Sequence, residues 1–242
     1  MENWWYSRLV MLARFIFNVL MVCTLSLALA SEFYVSQKLL DNVQKLYGDM
    51  AVRRMHAWQD LLENSRRLPE REKLEKVNIF FNRLEFGTDL QHWGKEDFWA
   101  TPVEFLASGG GDCEDFSIAK YFTLRELGVA DERLRITYVK ALRINQAHMV
   151  LTYYPEKGKE PLILDNLEGK ILPARERKDL KPVYNFNGDG LWIARQRGKG
   201  VRVGKAERIS LWMELRERFS DELSEKKKLE ARKPGPTTGA KP

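Results

Sequence analysis

The order of hydrophobic patterns predicts an α+β protein, with helices gathered towards both ends of the chain and a run of strands between them. Three observations carry this. Apolar residues such as Leu39, Leu40, Val43, Leu46 and Tyr47 recur three and four positions apart, and the stretch from Val35 to about Arg83 has few helix breakers. Phe116 to Leu127 repeats that spacing through Ile118, Ala119, Phe122 and Leu124 until Gly128 stops it. Beyond Gly128 the spacing turns to alternation, with Leu134, Ile136 and Tyr138 set against Arg135, Thr137 and Val139.

The elements follow in order. Two or three amphipathic helices fit between Val35 and Arg83, and Leu68-Pro69-Glu70 marks a break with Pro69 in the first turn of the next helix. An aromatic loop, containing Trp93, Phe98 and Trp99, is expected from Gly87 to Pro102. Thr101 and Glu104 then have the spacing of a capping box for a short helix through Leu106. Strands are expected at about 134–142, from His148 to Tyr154 and from Pro161 to Asp165, the last two joined by a polar turn around Gly158. Val183 to Phe186 and Gly190 to Arg195 add strands around the Asn187-Gly188-Asp189-Gly190 turn. The basic run Arg195, Arg197, Lys199, Arg202, Lys205 and Arg208 reads as a solvated loop, with a surface for an acidic partner or the membrane as the alternative. Helical spacing resumes over 207–231, where Trp212 and Leu215 either dock on the core or present a partner-binding face.

Composition narrows the class. The 242 residues, 44% of them apolar, suffice for one globular core, and the net charge of +6 gives no case for a nucleic-acid partner. Two cysteines, Cys23 and Cys113, build neither a disulfide framework nor a four-cysteine zinc site. Arg8 and Arg14 precede an apolar run from Phe15 that closes on Ala28-Leu29-Ala30, the pattern of a secretory signal peptide, with an uncleaved anchor as the alternative. The expected organisation is therefore a signal peptide at 1–30, a domain at 31–220 that includes the C-terminal helix, and a charged helix end with a disordered tail at 221–242. Cleavage would leave Cys113 as the one thiol of an exported protein with no stable membrane insertion.

The chemistry concentrates at Ser108-Gly109-Gly110-Gly111-Asp112-Cys113-Glu114-Asp115. The glycines let the backbone turn sharply and approach another group closely. Asp112 caps a helix and places Cys113 in its first turn, where free amides and the helix dipole favour a thiolate. Asp112, Glu114 and Asp115 oppose that shift by repulsion unless a cation neutralises them, and oxygen ligands suit calcium better than zinc. A hairpin about the Gly158 turn places His148 opposite, or nearly opposite, Asp165. A carboxylate there would fix the tautomer of an imidazole that takes the thiol proton.

Trp99-Ala100-Thr101-Pro102, Gly111-Asp112-Cys113-Glu114-Asp115, Ala147-His148-Met149-Val150 and Leu164-Asp165-Asn166 together resemble the bacterial transglutaminase-like cysteine proteinases, in particular the LapG-type periplasmic proteases. The resemblance spans about 35–195. It implies a papain-like, transglutaminase-like fold in which N-terminal helices and a nucleophile-bearing helix pack on an antiparallel sheet. It implies a Cys113, His148, Asp165 triad, with Cys113 the nucleophile, His148 the base and later the acid, and Asp165 the orienting group. It also implies a Ca2+ site at Asp112, Glu114 and Asp115, completed from Glu156 or carbonyls of the 155–160 turn. The activity implied is calcium-dependent endoproteolysis of the N-terminal region of a large RTX-type adhesin near an Ala-Ala pair. That cut frees the adhesin from the outer membrane and promotes biofilm dispersal. The resemblance further implies control by an inner-membrane cyclic-di-GMP receptor of the LapD type. The Cys113 amide is the expected oxyanion donor, with an indole of Trp93 or Trp99 as a second. The alternatives are a non-catalytic calcium-regulated binding module, and a transamidase or acyltransferase using the same triad.

Overall fold

A computed structural model describes residues 35–156, 159–194 and 200–230. The signal-peptide segment, most of the tail, and Arg195, Arg197 and Lys199 of the basic run lie outside them. Three helices open the described chain: α1 (Gln37–Tyr47), α2 (Asp49–Ser65) and α3 (Glu70–Phe81). The Ser36 hydroxyl caps α1 by accepting the Leu39 N–H at 3.2 Å, and Gly48 separates α1 from α2. Pro69 falls just before α3 as its cap, one position earlier than expected.

The expected aromatic loop contains two further elements: a two-residue strand β1 (Glu85–Phe86) and a short helix α4 (Asp89–Trp93). Thr88 and Gln91 form a capping box that starts α4, a signal hidden by the loop-like composition around it. The helix α5 (Pro102–Ser108) follows, with the anticipated capping box of Thr101 and Glu104. The strand β2 (Gly110–Gly111) pairs in parallel with β1, and the helix α6 (Cys113–Glu126) begins immediately after it.

The remaining strands are β3 (Leu134–Ala141), β4 (Gln146–Tyr153), β5 (Leu162–Leu164), β6 (Leu172–Pro173), β7 (Leu180–Phe186), β8 (Leu191–Ile193) and β9 (Val201–Gly204), followed by the helix α7 (Ser210–Glu230). They form one antiparallel sheet in the order β6-β5-β4-β3-β7-β8-β9. β9 replaces part of the expected solvated loop, because Val201 and Arg202 fall into ladder register with Ile193 and Trp192 of β8. Among the described residues no helix is long and apolar enough to cross a membrane.

The sheet and the helices meet on α6. Ile118, Ala119 and Leu124 of α6 are fully buried, as are Ile136, Val150, Leu151 and Leu164 of the sheet. Polar ties fix the helix as well. Trp58 Nε1 of α2 donates to Thr123 Oγ1 at 2.9 Å, and Lys73 Nζ of α3 donates to the Leu127 carbonyl at 2.7 Å, where a cation also suits the helix dipole. The choice left open for α7 is resolved in favour of docking. Trp212 and Leu215 are fully buried, with the indole stacked on Phe122 of α6 at 5.4 Å and edge-on to Phe186 of β7 at 5.2 Å.

Truncating Trp212 to alanine removes the ring that joins α7 to both α6 and β7, and should cost about 3–5 kcal/mol of stability. Urea unfolding followed by circular dichroism would show this as a lower midpoint, whereas an unchanged midpoint would mean α7 is not part of the cooperative core.

Candidate active site

The Gly-Asp-Cys-Glu-Asp run crosses from β2 into α6. Gly110 and Gly111 are needed for close approach: a Cβ at Gly110 would collide with the Glu85 carbonyl, and one at Gly111 with the Asp115 carboxylate. Asp112 then caps α6 through its Oδ1, which accepts the Glu114 N–H at 3.2 Å. Cys113 is consequently the first residue of α6, as its sequence context predicts.

Its thiol donates to Glu114 Oε2 at 2.6 Å, and the neighbouring backbone N–H of Met149 on β4 pulls its pKa down. Burial, then the Glu114 charge and hydrogen bond, and then Asp112 push the thiol pKa up. Burial and the neighbouring acids thus together oppose the thiolate that the start of a helix favours.

His148 precedes Met149 on β4 and is nearly fully buried. Its Nε2 lies 2.7 Å from Asp165 Oδ1. The pairing is diagonal. Leu151 faces Leu164, so the same register continued past β5 sets Asp165 opposite Val150, two residues from His148 on the same face. Asp165 is 1% exposed. Burial alone would push its carboxyl up, but hydrogen bonds from His148, the Leu167 N–H and Arg177 outweigh that and hold it at about 2. An ionised carboxylate only accepts, so the His148 proton resides on Nε2. The structure therefore joins His148 to Asp165 directly and brings Cys113 against the next residue of the same strand.

The three acids expected to hold a metal divide into two overlapping groups. Asp112, Cys113 and Glu114 form one, and Asp112, Asp115 and Asp89 the other, each with ligand atoms within 4.8 Å of one another. Asp115 is fully buried, with Oδ1 accepting the Ala100 N–H at 2.7 Å and Oδ2 without any hydrogen-bond partner. Asp89, in the first turn of α4, accepts the Phe98 N–H on Oδ2 at 2.7 Å, and its buried Oδ1 also lacks a partner. Two buried, unpartnered carboxylate oxygens beside a third acid are costly unless protons or a cation occupy the space between them. These residues fit a metal ion. Asp89 was missed because the loop around it carries no acidic motif. Glu156 does not join the cluster: it is 74% exposed and pairs with Lys159 at 3.0 Å.

Crowding is visible in the protonation of all three. Burial, then Glu114, raise Asp112 to about 8; burial raises Asp89 to about 6, with Asp112 adding to it; burial and Asp112 raise Asp115 as well. Of the two tryptophans expected near the oxyanion, Trp99 is buried against Phe186 at 5.6 Å, in the core. Trp93 packs on Phe98 at 4.9 Å and keeps a buried Nε1 without a partner. Arg177, 5% exposed, had not been singled out by sequence, yet it donates to Asp165 Oδ2 at 2.7 Å.

Comparison with known proteins gives a consistent picture. A family model for the bacterial transglutaminase-like cysteine proteinase matches residues 56–179. Solved structures of Legionella pneumophila LapG are similar at 47% identity over 74% of this chain and 96% of theirs, with a TM-score of 0.64, or 0.65 for an EGTA-treated form. A calcium-bound form matches at the same identity with a TM-score of 0.63, over 74% of this chain and 98% of its own. No curated protein matches.

The raised carboxyls fix a pH dependence. A group whose pKa is higher in the folded chain binds its proton more tightly there, so its contribution is present below the unfolded pKa and lost as pH rises through the folded one. For Asp112 that window runs from 3.8 to about 8, and for Asp89 from 3.8 to about 6. Without divalent cation the melting temperature should fall across this window, and an added divalent cation should raise it more at the alkaline end. Scanning fluorimetry in buffers with and without the cation would check this, and a melting temperature insensitive to both would rule out a strained acid cluster.

Proposed function

Since the chain belongs to the bacterial transglutaminase-like cysteine proteinase family, we propose that it is a calcium-dependent periplasmic endopeptidase with Cys113, His148 and Asp165 as its catalytic triad. One observation carries this reading. His148 Nε2 is bound to Asp165 Oδ1 at 2.7 Å, and the backbone of the adjoining Met149 lies beside the Cys113 thiol.

With the proton held on Nε2, Nδ1 is the basic nitrogen and takes the thiol proton. The thiolate attacks the scissile carbonyl, forming a tetrahedral intermediate. The imidazolium returns its proton to the leaving amine, and a thioester remains on Cys113. His148 then activates the water that hydrolyses it. The Cys113 N–H, in the first turn of α6 where amides have no partner within the helix, is the oxyanion donor, and the Trp93 Nε1 is a second.

Asp89, Asp112 and Asp115, with Glu114 beside the thiol, would hold calcium, whose charge would offset the repulsion that keeps the thiol protonated. The calcium-bound LapG supports that choice of ion. Following the same resemblance, the substrate is the N-terminal region of a large RTX-type adhesin near an Ala-Ala pair. Its release promotes biofilm dispersal, under control of an inner-membrane cyclic-di-GMP receptor of the LapD type.

Cys113→Ala is expected to abolish cleavage of a recombinant N-terminal adhesin fragment carrying such a pair. Chelation should do the same without unfolding the chain, as judged by circular dichroism. Asp165→Asn should lower kcat on the order of 10²–10⁴-fold by releasing the tautomer. Cleavage that survives Cys113→Ala would overturn the nucleophile assignment. Product masses would separate hydrolysis from transfer, since an added amine in the product would mark a transamidase.

Asp89→Asn removes one of the converging oxygens and should weaken calcium binding, measured by calorimetry, while leaving the fold intact. Unchanged affinity would place Asp89 outside the metal shell.

A further inference from the structure

Asp165 has two oxygens in a dry environment, and the structure assigns each to a different partner. Oδ1 accepts from His148 Nε2 at 2.7 Å and from the Leu167 N–H at 3.0 Å, while Oδ2 accepts from Arg177 Nη2 at 2.7 Å. Arg177 is itself clamped by Asp179 through Nε to Oδ1 at 3.1 Å and Nη2 to Oδ2 at 2.9 Å. The turn that carries both residues is tied to the end of β3, where the Leu142 N–H donates to the Asp179 carbonyl at 2.7 Å. A continuous chain of charge-assisted bonds thus runs from the β3–β7 side of the sheet to the imidazole on β4.

We propose that Arg177, anchored by Asp179, is a positioning residue for catalysis: by occupying Asp165 Oδ2 it leaves Oδ1 to hold the His148 ring, and so fixes both the orientation and the tautomer of the base. The proposal rests on the triad reading above. Physical chemistry selects this cation. A buried carboxylate with one oxygen unpartnered gains a proton, and a protonated carboxyl no longer accepts from Nε2 with the same strength. The other cation that feels Asp165 is Lys120, buried on α6, and its burial pushes the amine down to about 7. Arginine stays charged, and its planar fork can serve Asp165 and Asp179 together. The groups facing Asp165 are therefore His148 from β4, Lys120 from α6, and the Arg177–Asp179 pair from the turn before β7.

The test uses full-length Arg177→Met, Arg177→Lys and Asp179→Asn proteins, with two readouts. Nitrogen-15 spectra of the imidazoles, with His148 assigned by the signal lost in His148→Gln, report the tautomer without reference to turnover. Wild type is expected to show the Nε2–H form, Arg177→Met a mixture of tautomers, and Arg177→Lys a partial return. Against the adhesin fragment, Arg177→Met should lower kcat by about 10- to 100-fold with little change in KM, and displace a limb of the pH–rate profile. Asp179→Asn, the gentler change, should give a smaller loss in the same direction and keeps the test open if Arg177→Met fails to fold. A wild-type tautomer and pH profile in a folded variant, with activity falling only in step with melting temperature, would overturn the proposal. Should wild type cleave nothing while the tautomer still responds to Arg177, the protease reading fails and the positioning role stands.

Discussion

The constraint on which the site depends is the crowding of carboxylates at the N-terminus of one helix. Asp112 must be there to cap α6, and Asp115 must be buried there because its Oδ1 holds the Ala100 amide. Asp89 arrives from α4 with its own amide, Phe98, already bound. Each acid has a local structural reason to be present, yet Asp112 raises the proton affinity of both others, and burial, Glu114 and Asp112 push up the adjacent thiol. The helix dipole, worth roughly 0.3–1 kcal/mol at an ordinary terminus, is too small to reverse that alone. A thiol in this setting has its charge state set by whatever neutralises the acids.

Asp165 shows the opposite solution with the same side chain. It is as deeply buried as Asp115, but it is surrounded by donors and stays ionised, at about 2. Environment alone separates the two roles. One carboxylate is poised to accept a cation or a proton, and the other is held as an anion that accepts from the His148 imidazole. The sheet produces this difference. Asp165 lies just past the end of β5, close to the β4 imidazole and to the turn carrying Arg177, whereas the acids near Cys113 are supplied by loops and helix starts, where His92 of α4 lowers Asp89 less than burial and its acidic neighbours raise it.

How far the sequence discloses this depends on the range of the interactions involved. The place of Cys113 at the start of α6 and the contact of His148 with Asp165 are legible because helix capping and strand alternation are local, and a hairpin register can be counted from its turn. Even so, the observed register makes His148 and Asp165 diagonal neighbours, a detail that depends on the β4–β5 pairing. Asp89 is illegible as a member of the acid cluster, since only tertiary packing brings α4 to the start of α6; its Thr88–Gln91 capping box is the one local signal, and it announces a helix without announcing a cluster. Arg177 and Asp179 look like ordinary surface charges in a polar loop. Docking of Trp212 could not be chosen from amphipathic spacing, because a core face and a partner-binding face obey the same periodicity.

The segment from Phe98 to Thr101 shows why α7 belongs to the argument about chemistry as well as to the fold. The Phe98 and Ala100 amides donate to Asp89 and Asp115, while between them the Trp99 carbonyl accepts from Arg218 of α7 at 2.5 Å. Arg218 also pairs with Glu104 at 3.2 Å, and the Thr101 hydroxyl donates to Glu222, again on α7, at 3.0 Å. One short stretch of backbone is therefore gripped by the acid cluster on one side and by the C-terminal helix on the other. A peptide segment held by both its amides and its carbonyls has little freedom to shift, so the spacing of Asp89 and Asp115 is set partly by how α7 docks. The aromatic seat of Trp212 and the geometry of the acids beside Cys113 are two ends of the same mechanical connection.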